Sequence, residues 1–143
     1  MTPTLWTIGY EQLWPDALVA ELSAAGVQRV LDVRFRPQSR RPGMSKTKLA
    51  LKLAEHGIAY EHRRGLGTPM DIRGLFRAGH LDEARAAYRA QVAGEELDAL
   101  AAEIDRGPRT ALLCLEANPA GCHRRVVAEL LVERRPELIV VDL

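Results

Sequence analysis

The sequence predicts a three-layer α/β domain with a mostly parallel central sheet. Three observations carry that expectation: strand-like and helix-like segments alternate, the segment at residues 110–115 is almost wholly apolar, and unusual polar clusters fall where strands end. Alternation calls for crossover connections, which join parallel strands. With 143 residues and 47% hydrophobic content the chain can bury one core, so residues 1–143 are read as a single domain.

Residues 4–8 form a β-rich run that Gly9 ends, and residues 16–25 repeat apolar side chains at helical spacing until Gly26. A second strand is expected at 29–33. The Pro- and Gly-punctuated loop 35–44 leads into a helix that starts at Ser45, a favourable N-cap, and runs to His56 before Gly57. Residues 58–62 read as a third, shorter strand, and 63–79 as one long irregular segment containing Gly65, Gly67, Pro69, Gly74 and Gly79. Residues 81–104 are helical by pattern, with a break near Gly94 and a stop at Gly107-Pro108. The central strand follows at 110–115, then a loop through Asn118-Pro119-Ala120-Gly121, a helix at 122–134 and a last strand at 138–141.

Composition excludes several classes. The longest apolar runs fall far below the ~20 residues of a membrane span, and the N-terminus lacks a signal pattern, so a cytoplasmic protein without membrane contact is expected. Cys114 and Cys122 form neither a disulfide framework nor a Cys-x-x-Cys pair. Net charge is only +1, which argues against a nucleic-acid coat protein, yet residues 33–54 carry seven cations and no acid. The phosphate-loop, dinucleotide, nucleophile-elbow and HExxH motifs are absent from the sequence.

Open parallel sheets bind ligands beyond the carboxyl ends of their strands. On that edge the sequence sets Tyr10-Glu11, Asp32-Val33-Arg34, Tyr60-Glu61-His62, and Glu116 with Cys122-His123-Arg124. Asp32 and Glu116 end apolar strands, so each is either a desolvated acid or base or an ion-pair partner of Arg34 and Arg124. Cys122-His123-Arg124 opens a helix whose free N–H groups and dipole favour an anion, with Arg124 as a clamp; the alternative is a structural Arg124 and a packed Cys122. His123 can be an acid–base group or a metal ligand, and Tyr10 and His62 stand on the same edge as candidates for substrate contact. The basic loop with Arg34 and Arg40 suits phosphate or carboxylate capture, or is a solvated loop. These residues specify neither a metal nor a cofactor.

The segments Thr7-Ile8-Gly9-Tyr10-Glu11, Asp32-Val33-Arg34 with Pro37, Ser39-Arg40 and Pro42-Gly43, Tyr60-Glu61-His62, Leu66-Gly67, and Leu113-Cys114-Leu115-Glu116 with Pro119 and Cys122-His123-Arg124 together resemble an uncharacterised family, the domain-of-unknown-function family 488. The resemblance covers nearly the whole chain and implies an α/β fold and a site at these residues. It brings no reaction with it. Many members have His followed by Ser or Thr where this chain has Tyr10-Glu11, which marks a subgroup form.

Three functions compete. In the first, an enzyme acts on a phosphate-bearing or other anionic substrate, a nucleotide or nucleic acid, with Asp32, Glu116 and His123 as acid–base or metal-binding groups and Arg34, Arg40 and Arg124 holding charge. In the second, Cys122 is the nucleophile of a thiol enzyme, since a helix N-terminus and a neighbouring Arg lower a thiol pKa. Asp32-Val33-Arg34 is similar to the rhodanese domain, but the Cys-x5-Arg phosphatase pattern fails because Ala128 stands six residues after Cys122. The third is a noncatalytic anion- or nucleic-acid-binding module, for which 5% aromatic content supplies few base-stacking platforms. The expected site is a convergence of Arg34, Asp32, Glu116 and Arg124, with the backbone of residues 121–123 as an anion nest, and the third reading uses its cations without needing Asp32 or Glu116.

Overall fold

In the computed structural model, which describes residues 2–143, the strands are β1 (Thr4–Gly9), β2 (Arg29–Asp32), β3 (Ala59–His62), β4 (Thr110–Cys114) and β5 (Ile139–Asp142). The helices are α1 (Pro15–Ala24), α2 (Lys46–Ala54), α3 (Met70–Arg77), α4 (Leu81–Gln91), α5 (Gly94–Arg106) and α6 (His123–Arg134). Every strand pairing is parallel, in the order β3-β2-β4-β1-β5, so the expected α/β fold holds and the sheet is parallel throughout. No helix among the described residues is long and apolar enough to cross a membrane.

Side chains alternate across a strand, and here both faces are covered. Val30, Ala111 and Leu113 pack with Leu18 and Leu22 of α1 and Leu49 and Leu53 of α2. Leu31, Leu112 and Cys114 point the other way, into a second cluster with Ile72 and Phe76 of α3, Tyr88 of α4, Leu100 of α5 and Val126 of α6. All five residues of β4 are buried, as its apolar run implies for a strand between two helical layers.

Strand order positions the site. The β1-α1-β2 crossover passes over β4, and the β4-α6-β5 crossover passes over β1. The chain therefore leaves β1 and β2 toward one layer and β4 toward the other, which opens a crevice at the carboxyl end of β4 on both sides.

Two local expectations are corrected. Residues 63–79 are not one irregular segment: they hold a 3₁₀ turn at Arg64–Leu66 and the helix α3. Ile72 and Phe76, four residues apart, are its buried side, and Gly74 between them is the poor helix former that hides the pattern. Ser45 does stand at the N-cap of α2, yet its hydroxyl makes no cap bond. It accepts the Ser39 N–H at 3.0 Å and donates to the Ser39 carbonyl at 3.2 Å, fastening the basic loop instead.

Candidate functional site

Asp32, the last residue of β2, is fully buried, and Arg34 is 5% exposed. Positions i and i+2 of an extended chain share a face, so the guanidinium turns back on its own strand. Nε and Nη2 of Arg34 donate to the two Asp32 oxygens at 2.9 and 2.7 Å, and Nη1 donates to the Met44 carbonyl at 2.8 Å and to Tyr10 Oη at 3.2 Å. The Tyr60 hydroxyl also donates to Asp32. Burial opposes the charge on Arg34, but the Asp32 hydrogen bonds outweigh it and raise its pKa. Asp32 thus spends its lone pairs inside the protein, in a pairing that fixes Arg34 at the crevice. His62 shares a 2.7 Å hydrogen bond between Nε2 and the Arg34 carbonyl, which steadies the same segment.

Glu116 follows β4 and is held by a close backbone approach. A Cβ on Gly9 would lie 1.8 Å from the Glu116 carbonyl oxygen, so only glycine lets the β1 and β4 ends come together. Arg124, fully buried, donates from Nη1 to that same carbonyl, from Nη2 to the Ala117 carbonyl at 3.3 Å and from Nε to Thr7 Oγ1 at 3.2 Å. Its guanidinium is a brace for the post-β4 turn. Burial, and then the charge of Cys122, push the Glu116 carboxyl up to about 7, and its Oε2 is buried with no hydrogen-bond partner.

Behind Glu116, Cys114, Cys122 and His123 form a buried cluster. Cys122 is the N-cap of α6, its Sγ accepting the Arg124 N–H at 3.5 Å. His123 Nε2 lies 2.7 Å from the Val33 carbonyl, so Nε2 carries the proton and Nδ1 faces the sulfurs, 3.7 Å from Cys122 and 4.0 Å from Cys114. Burial resists a charged Cys122 thiol, but the Cys114 S–H, the His123 ring and Arg124 together hold its pKa well below the ordinary value. Cys114 is pushed up by its hydrogen bond to Cys122 and by burial, while His123, despite burial, is raised by the Cys122 charge. Tyr88 and Phe76 cover the imidazole, with ring centroids 5.4 and 6.5 Å away.

These groups bound a hollow of about 90 Å³ at the end of β4, lined by Tyr10, Arg34, Phe35, Arg36, Gln38, Arg73, Arg77, Cys114, Leu115 and Glu116. Four arginines are among the lining residues. Arg34 is matched by Asp32, but Arg36, Arg73 and Arg77 have no carboxylate partner among the described residues.

Of the expected site residues, Tyr10, Arg34 and Glu116 line the hollow, and Asp32 supports it through Arg34. His62, Cys122, His123 and Arg124 stand at the same sheet edge without lining it. Arg40 is elsewhere, in the open groove of the basic loop. In the backbone nest expected at residues 121–123, the N–H groups of Gly121 and Cys122 are spent on the Asn118 and Pro119 carbonyls, and the next N–H but one, that of Arg124, goes to Cys122 Sγ. Arg73 and Arg77 were not among the candidates, because they sit in the segment read as irregular; their four-residue spacing was the signal available.

Fold and site define an open, parallel α/β protein with an arginine-lined hollow at the carboxyl end of its central strand. The chain belongs to the family of the domain of unknown function DUF488, whose model matches residues 15–131. That stretch takes in Asp32, Arg34, Arg73, Arg77, Glu116 and the Cys122-His123-Arg124 turn, and leaves out β1 with Gly9 and Tyr10. No curated protein and no solved structure matched the chain.

Proposed function

We propose that this protein is an enzyme that seats the phosphate group of its substrate in the arginine-lined hollow, with Glu116 exchanging a proton with the bound group. The carrying observation is the meeting of Arg34, Arg36, Arg73 and Arg77 with one desolvated carboxyl around about 90 Å³. Guanidinium forks match phosphate oxygens, and a low-dielectric wall strengthens each contact. Size narrows the substrate class. Pockets that enclose a whole drug-sized ligand run from about 300 Å³ upward, so this one takes a single tetrahedral group and leaves the remainder of the substrate outside, over the Arg36 and Gln38 side. A nucleotide or a nucleic-acid end meets that requirement, as does any phosphate monoester.

A Cys122 thiol enzyme is less well supported. Its low pKa favours a nucleophile, but Cys122 is 2% exposed and does not line the hollow, while Cys114, which does, is held protonated. A noncatalytic module would use the same arginines and have no need of Glu116.

Titration calorimetry with inorganic phosphate tests the seat, and a panel of phosphate monoesters and short single-stranded oligonucleotides tests turnover. A charge-assisted hydrogen bond contributes ~1.5–3 kcal/mol, so Arg73→Ala and Arg77→Ala are each expected to weaken phosphate binding about ten- to a hundredfold, and Arg40→Ala to leave it unchanged. Glu116→Gln is expected to keep phosphate binding and lose turnover. Phosphate binding indifferent to Arg73 and Arg77 would refute the seat, and turnover retained in Glu116→Gln would refute the acid–base role.

A further inference from the structure

We infer that Cys114, Cys122 and His123 form a binding site for one zinc-type divalent cation, with its fourth coordination position on the side of Glu116. The site borders the arginine-lined hollow, since Cys114 belongs to both, but its ligands are Cys114, Cys122 and His123 and its test reads metal binding rather than phosphate binding.

The donors stand at about the spacing of a tetrahedral set. With metal–sulfur and metal–nitrogen bonds of ~2.3 and ~2.05 Å, a tetrahedral centre places its nitrogen and sulfur donors ~3.6 Å apart. His123 Nδ1 lies 3.7 Å from Cys122 Sγ and 4.0 Å from Cys114 Sγ, and all the donor atoms of the cluster fall within 4.8 Å of one another. The two nitrogen–sulfur distances need change by only ~0.1–0.4 Å to match that spacing.

The imidazole is already set for coordination. A metal-bound histidine characteristically gives its other ring N–H to a carbonyl or carboxylate, and His123 Nε2 gives its proton to the Val33 carbonyl at 2.7 Å. That bond leaves the Nδ1 lone pair facing the two sulfurs. Donor chemistry selects the ion: two thiolates and an imidazole are a soft set that suits zinc and disfavours magnesium or calcium.

Glu116 supplies the independent observation. Two residues beyond Cys114, its Oε2 is buried without a hydrogen-bond partner, an acceptor left unsatisfied. Tyr88 and Phe76 pack against the ring, and Cys114 also lines the hollow, so the cluster adjoins open space on the Cys114 side. Binding replaces two protons, the Cys114 thiol proton and the one shared by Cys122 and His123 Nδ1, and leaves an uncharged metal–dithiolate–imidazole unit.

Because arginines line the hollow, the ion is added both to the folded, fully reduced full-length chain and during its refolding from denaturant. Cobalt(II) is the probe, since tetrahedral thiolate ligation gives it intense visible bands together with a sulfur-to-metal charge-transfer band. The expected result is one cobalt per chain with both features, bleached by one equivalent of zinc(II). Cys122 caps α6, so its replacement can unfold the chain; Cys114→Ala, small for small on β4, is the informative variant. It is expected to keep the wild-type far-ultraviolet circular dichroism and to lose about half of the charge-transfer intensity. Cobalt bound without the charge-transfer band, no cobalt bound by either route, or an undiminished band in Cys114→Ala would overturn the assignment. A Cys114–Cys122 disulfide forming in air in a chain that binds no metal when reduced would overturn it in favour of a redox pair.

Discussion

At the scale of single residues, charge is used here mainly as architecture. The Asp32–Arg34 pair is buried on both sides, and each member satisfies what the other would leave exposed to low dielectric. Removing one partner of such a pair strands a charge and typically costs ~3–5 kcal/mol. Asp32→Ala is therefore expected to lower the unfolding free energy by that amount, read as a reduced urea midpoint at unchanged slope, and an effect within ~0.5 kcal/mol of wild type would show the pair to be dispensable. Asp32 and Glu116 were both legible in the sequence as carboxylates ending apolar strands, but their different fates were not. Asp32 has Arg34 two residues away on its own face, whereas Glu116 is met by a carbonyl-directed Arg124 and lies near the Cys122 sulfur, partners that only strand order and the tight Gly9 approach bring to it.

At the scale of elements, α3 is the piece the sequence concealed and the site most depends on, because it carries Arg73 and Arg77. Gly74 sits in its interior, and a Cβ there would meet nothing within 4 Å. Gly74→Ala should accordingly stabilise the protein by ~0.5–1 kcal/mol, read as a raised melting temperature with phosphate binding intact. A drop in stability would mean that α3 needs the freedom of that glycine. A second element-level device joins α5 to the sheet: Glu103 bridges Arg63, after β3, and Arg29, on β2 at 2.7 Å. The Arg63 hydrogen bond, ahead of that from Arg29, holds the Glu103 carboxyl below its ordinary 4.5 against a partial burial that pushes it up. A lowered folded-state pKa means stability that is present in full above the unfolded value and lost as pH falls through the folded one. Glu103→Gln should thus be less stable than wild type at pH 7, with the gap closing below about pH 4.5. A gap that stays constant across that range would place the effect in packing rather than charge.

At the scale of the whole molecule, alternating segments and a central apolar run were enough to foresee the α/β class and the edge on which polar groups gather. Strand order was beyond that reading, since the insertion of β4 between β1 and β2 is decided by which helix covers which face. That insertion puts Glu116 in the crevice and turns the Cys122-His123-Arg124 helix start inward, so the expected nest becomes a brace and a buried thiol–imidazole cluster. The charge that remains free for a ligand comes from Arg36, Arg73 and Arg77, and the central claim is that they seat a phosphate group beside Glu116. A crystal structure of the wild-type chain with inorganic phosphate tests this most directly. The expected result is a phosphate within hydrogen-bond reach of Arg36, Arg73 and Arg77 with one oxygen against the Glu116 carboxyl; phosphate found only on the basic loop around Arg40, or an unoccupied hollow at saturating phosphate, would refute the seat.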